Sequence, residues 1–215
     1  SASDLAAALA GTVTNGSGAA LSGAMTVSDN DNTAVAATDL STIGGATTGT
    51  VTVTHAVAIS GTASELKAAL VTPLTKVEVS DAAVTISDGD NTSIAASDLS
   101  DIGSATTGTV TVTHAINVTG TADQAVVALH DTATKVEVTD AVVTLSDDPD
   151  LTELKQLNAA TTGAIKINTQ SKTYSGSASD LAAALAGTVT NGSGAALSGA
   201  MTVSDNDNTA VAATD

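Results

Sequence analysis

Four acidic turns are the places where this sequence could do chemistry. They read SDNDN from Ser28, SDGDN from Ser87, SDDPD from Ser146 and SDNDN again from Ser204. Each brings two carboxylates close together: Asp29 with Asp31, Asp88 with Asp90, Asp147 with Asp150, and Asp205 with Asp207. Carboxylates, Asn side chains and turn carbonyls are the hard oxygen donors that calcium takes, about six or more at a time. These eight Asp are therefore the candidate metal ligands, with calcium the possible cofactor. The same Asp, Asn and Gly also build ordinary polar turns, and both readings stand at this point.

The second constellation is a ladder. The stretch TTGTVTVTHA occurs at Thr47–Ala56 and again at Thr106–Ala115. Aligning half-repeats puts Asp81 opposite His55 and Asp140 opposite His114. Stacked in register, His55, Asp81, His114 and Asp140 form a row of alternating charge. The strand positions give further rows: Thr52, Glu78, Thr111, Glu137, Lys166, and Thr50, Lys76, Thr109, Lys135, Ala164. In both, a neutral Thr separates like charges. A surface that orders water, as in ice-binding arrays, needs flat and uninterrupted Thr rows, and here Lys and Glu interrupt them. Ser, His and Asp can be drawn into a triad in many sequences. In this one they recur with the repeat, whereas a catalytic centre is singular. No catalytic residue is assigned, and the chain is expected not to be an enzyme.

The elements that must position these residues are read from composition and repetition. The 215 residues contain no Cys, Arg, Phe or Trp, and Tyr174 is the only aromatic. Without Cys there is neither a disulfide framework nor a thiolate metal site. The core must be thin, made of Ala, Val, Leu and Ile. A net charge of −17 repels phosphate backbones and anionic lipid, so nucleic acid is not expected as a partner. No apolar run approaches the 18 or so residues of a membrane span, and membrane insertion is not expected either.

Repetition runs on three levels. Residues 1–39 and 177–215 are identical, an offset of 176. Units 28–86, 87–145 and 146–203 make up that super-repeat, and the first two share 37 of 59 positions. Each unit divides into two halves of about 29 residues, aligned on Leu5, Leu40, Leu66, Leu99, Ala125, Leu154 and Leu181. A unit this short cannot bury its own apolar face and must stack on its neighbours. Within each half, alternation such as Thr50-Val51-Thr52-Val53-Thr54 predicts a half-buried strand. Thr62-Ala63-Ser64-Glu65 and Thr121-Ala122-Asp123-Gln124 are capping boxes ahead of short Ala/Leu helices.

The expected fold is a parallel β-solenoid over 1–215, with about 29 residues and one short helix per coil. It is expected to be open-ended, a window of a longer array whose adjacent repeats are its first partners.

The stretches ATTGTVTVT, ISGTASELKAAL and VTISDGDNTSIAASDL resemble the tandem repeats of giant bacterial cell-surface and secreted proteins, cyanobacterial ones especially, of adhesin or RTX-like type. No GGxGxD calcium nonapeptide occurs. The resemblance implies an extracellular or cell-surface structural role as a fibre, stalk or matrix segment. The alternatives it leaves are a calcium-stabilised adhesin recognising glycans or cells, and lateral self-association into a surface layer.

Overall fold

A computed structural model describes residues 1–205 of the chain. They form two compact units. One comprises Ser1–Asp90, Asp98–His114 and Thr132–Glu137; the other comprises Asn91–Ser97, Ala115–Asp131 and the residues from Val138 onward.

Helices alternate with parallel strands throughout. The helices are α1 (Ala2–Leu9), α2 (Ala37–Ala46), α3 (Ala63–Leu66, running on as a π-turn over Lys67–Val71), α4 (Ala96–Ser104), α5 (Ala122–Leu129), α6 (Leu151–Ala160) and α7 (Ala178–Ala184). The strands are β1 (Met25–Val27), β2 (Ala34–Ala36), β3 (Val51–Val53), β4 (Ala58–Gly61), β5 (Val77–Glu78), β6 (Ala83–Ile86), β7 (Ser93–Ala95), β8 (Val110–Val112), β9 (Asn117–Gly120), β10 (Val136–Glu137), β11 (Val142–Leu145), β12 (Ile165–Ile167), β13 (Tyr174–Gly176), β14 (Val189–Asn191) and β15 (Met201–Val203).

In the first unit these build the rows β1-β3-β5 and β2-β4-β6-β8-β10. In the second they build β7-β9-β11-β12-β14 and β13-β15. Every pairing between these strands is parallel. Parallel neighbours need a long crossover, and here partners lie between 22 residues (Val143 opposite Ile165) and 27 residues (Tyr174 opposite Met201) apart in sequence.

The core is thin and aliphatic, as the composition requires. Alternation works as expected in β3, where Val51 and Val53 are buried and Thr52 is exposed. Of the aligned helix positions, Leu40, Leu66, Leu99, Ala125 and Leu154 are fully enclosed and Leu181 nearly so. Leu5 is half-buried, and α1 instead buries Ala2, Ala6 and Leu9.

The strand rows depart from those read off the sequence. The rungs within a unit hold: Thr52 faces Glu78, and Thr111 faces Glu137. The rung from Glu78 to Thr111 does not form, because Thr111 faces Thr85 instead. Lys166 lies between Thr144 and Thr190. The cause is a difference between half-repeats. The half from Val77 carries three strands, β5, β6 and β7, before its helix, while the half from Val51 carries two. The extra strand shifts the next row by one place, so β6 pairs with β8 and the row through β5 stops.

Candidate functional site

The acidic turns serve as helix caps for the neighbouring half-repeat. Asp29 accepts a hydrogen bond from the Ala2 N–H at 2.7 Å, Asp88 from Ala63 at 2.6 Å, Asp147 from Ala122 at 2.8 Å and Asp205 from Ala178 at 2.7 Å. In each case the donor is the first residue of a helix, one of the N–H groups a helix cannot satisfy internally. The carboxylate also sits at the positive end of the helix dipole. The capping residue of the helix itself handles the next donors. Thr62 accepts from the Glu65 N–H while Glu65 accepts from the Thr62 N–H, and Thr121 with Gln124 does the same. At Ser1 and Ser177 the hydroxyl accepts from the N–H of Asp4 and Asp180.

The second acid of each turn behaves differently. Asp31 accepts from the Ala56 N–H at 3.1 Å, and Asn32, in the left-handed region with φ 59°, donates its own N–H to the Ala56 carbonyl. Asn91, with φ 61°, makes the same bond to Ala115; Asp90 precedes it in the turn. Asp150 is the N-cap of α6, in a full box with Glu153. Asp207 lies outside the described residues. Among the described residues no three His, Asp or Glu side chains converge as a metal-ligand group. The carboxylates read from sequence as calcium ligands are engaged with backbone N–H groups at the six positions Asp29, Asp31, Asp88, Asp147, Asp150 and Asp205.

The His ladder is not assembled. The His55 imidazole lies 3.0 Å from the Thr54 hydroxyl, and that of His114 lies 2.9 Å from Thr113. Asp81 accepts from the Ser80 hydroxyl at 2.9 Å. The row shift explains this: the segment around Asp81 runs beside Thr106-Thr107-Gly108, where the Thr107 N–H meets the Ser80 carbonyl, and so it is not beside His114. Asp140 is likewise flanked by groups that bind the TTG turn at Thr161, namely the carbonyls of Thr139 and Ala141.

The residues that most firmly join one half-repeat to the next were not singled out from sequence. Thr47, Thr106 and Thr161 are buried threonines. Each hydroxyl donates to a carbonyl of the preceding half-repeat: Gly23 at 2.7 Å, Ala82 at 2.6 Å and Ala141 at 2.7 Å. Each also accepts, at 3.0 Å, from the N–H of the glycine two residues on. Those glycines press against the same carbonyl. A Cβ on Gly49, Gly108 or Gly163 would stand 2.6, 2.3 or 2.2 Å from the oxygen of Gly23, Ala82 or Ala141. The exact recurrence of TTG was the available signal.

Two ion pairs repeat a second contact. Lys67 pairs with Asp98, and Lys155 pairs with Asp180. In both, the Lys follows the aligned helix leucine and the Asp precedes the next one. The hydrogen bond to Asp98 raises the Lys67 pKa, and those from Lys155 and then Ser177 lower that of Asp180. The third unit differs at Asp148. Its chain passes from SDDPD directly into α6, without a strand equivalent to β7. The Asp148 carboxylate instead receives the N–H groups of Ser171 and Lys172 and the hydroxyls of Ser171 and Tyr174.

No protein-family model, curated protein or solved structure matches the chain.

Proposed function

We propose that the chain is a structural repeat segment of a long extracellular fibre, stalk or matrix protein. Its finer architecture in this reading is an open-ended parallel β-solenoid with a short helix on each coil. The observation that carries the reading is the recurrence of one set of joints. The TTG clamp appears at three successive points and the capping Asp at four, each reaching a segment 20 to 27 residues away. The groups with chemical potential are spent on holding neighbour to neighbour. Stability in such a stack is a sum of neighbour contacts, so length can grow without a new core. The high negative charge keeps long polymers apart in solution.

The test is location and mechanics together. Antibody raised against residues 47–176 should label intact, unpermeabilised cells that make the protein. Stretching single molecules should give small, repeated unfolding steps. Labelling only after permeabilisation, or one all-or-none rupture, would remove the reading.

A further inference from the structure

One loop occurs twice with the same sequence and different neighbours. Thr14-Asn15-Gly16-Ser17-Gly18-Ala19 and Thr190-Asn191-Gly192-Ser193-Gly194-Ala195 are identical. The first leads into a contact with the following half-repeat, where Leu21 bridges to Thr47. The second leads out of a contact with the preceding one, where β14 pairs with β12. Both loops close alike. The Asn15 N–H donates to the Ala19 carbonyl at 2.8 Å, and the Gly18 N–H donates to the Asn15 carbonyl at 2.9 Å. Asn191, Ala195 and Gly194 repeat both bonds at the same distances. Gly18 and Gly194 make the closing turn with φ of 78° and 81°, the left-handed region that glycine enters freely. The loop is therefore set by its own residues, whichever neighbour is in place.

At its centre is the Asn side-chain oxygen. Asn15 Oδ1 accepts from the Ser17 N–H at 3.0 Å, the Ser17 hydroxyl at 2.7 Å and the Ala19 N–H at 3.0 Å. Asn191 Oδ1 accepts from the Ser193 N–H at 3.1 Å, the Ser193 hydroxyl at 2.7 Å and the Ala195 N–H at 2.9 Å. The bond from the N–H two residues on folds the side chain forward along the peptide of Gly16 or Gly192. Both glycines are exposed. Among the described residues their N–H groups donate no hydrogen bond, and neither do the two Asn Nδ2 groups. A nitrogen nucleophile, an amide carbon and a set of donors around the amide oxygen thus share one turn.

We propose that Asn15 and Asn191 are sites of self-deamidation, at which the loop activates its own side-chain amide toward the next peptide nitrogen. Hydroxide takes the Gly16 N–H proton, and the nitrogen bonds to Asn15 Cγ. Negative charge gathers on Oδ1, where donors at 2.7 to 3.0 Å stand as they do in an oxyanion hole. Nδ2 takes a proton from water and leaves as ammonia, and a cyclic imide remains. Water opens the imide to Asp or to its isoaspartyl isomer. The net change consumes water and releases ammonia. The loop also suits the Asp product. Every bond to the Asn15 side chain goes to its oxygen, and the same donors bind a carboxylate more strongly than an amide. Asn191 reacts in the same way through Gly192.

The test uses the full chain in mildly alkaline buffer, sampled over days by mass spectrometry. Trypsin separates the two sites, in fragments 1–67 and 173–215. Conversion at both should run several-fold faster in the folded chain than in guanidinium chloride, where the donors are dispersed. In the Ser17→Ala chain, Asn15 should slow several-fold while Asn191 in the same molecule keeps the parent rate. In guanidinium chloride the substitution should make no difference. Conversion that is no faster folded than unfolded, or a Ser17→Ala chain whose Asn15 keeps pace with Asn191, overturns the proposal. Asn15→Asp makes the product directly and should keep the parent urea midpoint. A lower midpoint would show that the loop does not receive the carboxylate.

Discussion

At the scale of single residues, the clamp threonine and its glycine are the positions least open to change. Thr161→Val would leave the Ala141 carbonyl and the Gly163 N–H without their shared partner in a buried place, at a cost of about 1–3 kcal/mol. Gly163→Ala forces a methyl group to within 2.2 Å of a backbone oxygen, and the backbone must move. The expected loss is about 2–4 kcal/mol, toward the high end for single substitutions. Urea titrations followed by circular dichroism check both, with the neighbouring exposed Thr162→Val as the mild comparison. Asp148 gives a pH signature. Burial pushes its pKa up, but the Ser171 and Lys172 N–H groups and the Ser171 and Tyr174 hydroxyls more than offset this, so it lies below its ordinary value. A carboxyl whose pKa is lowered by folding stabilises fully above the unfolded value of about 3.9, and that contribution fades as pH falls through the folded value. The stability gap between the parent chain and Asp148→Asn should therefore be constant at neutral pH and close below about pH 4. A gap that widens on acidification would contradict this assignment.

At the scale of elements, the short helices α1, α3, α5 and α7 each take a capping carboxylate from elsewhere in the chain. Helices of two turns do not hold alone, and α3 has four α-helical residues before its π-turn. Asp88→Ala should destabilise by about 1 kcal/mol, as for other lost helix caps. The loss should be the same in millimolar calcium and in EDTA if capping is what Asp88 does; a loss present only with calcium would return the turn to the metal reading. Strand alternation and capping boxes were legible because each is local: Val51-Thr52-Val53 and Thr62 to Glu65 carry their own pattern. The row shift was not legible from homology between halves. Aligning the halves gives the right register where strands pair within one unit, Val51 opposite Val77 and Thr52 opposite Glu78, but His55 and Asp81 lie beyond those strands, with Thr54 and Ser80 as their hydroxyl neighbours. The alignment fails as a rule for the next rung, because pairing follows the path length of the chain and β7 adds a third strand to the half from Val77. The alternation of long and short steps between helix positions held that information. The acidic turns were ambiguous for a different reason, since a carboxylate aimed at a helix start and one aimed at a cation have the same sequence.

At the scale of the molecule, the same few bonds recur among the described residues, the TTG clamp at three places and the capping Asp at four. Tyr174 is the single aromatic, 3% exposed, and its hydroxyl meets Asp148 at 3.2 Å. Its fluorescence therefore reports one joint, while far-ultraviolet circular dichroism reports all of them. If stability is a sum over neighbours, the two probes should give different urea midpoints; coincident curves would mean one cooperative block. The identity of residues 1–39 and 177–215 has a further consequence, for inheritance rather than folding. The Ala2–Asp29 and Ala178–Asp205 bonds are the same bond at the same 2.7 Å. Recombination that joins any point in one segment to the matching point in the other deletes or duplicates 176 residues and leaves the sequence around the junction unchanged. Crossovers between 59-residue units, whose pairing rows differ, leave mismatched strands. Alleles of such a gene should therefore differ in length by whole super-repeats, and the protein's reach should evolve in steps of that one size.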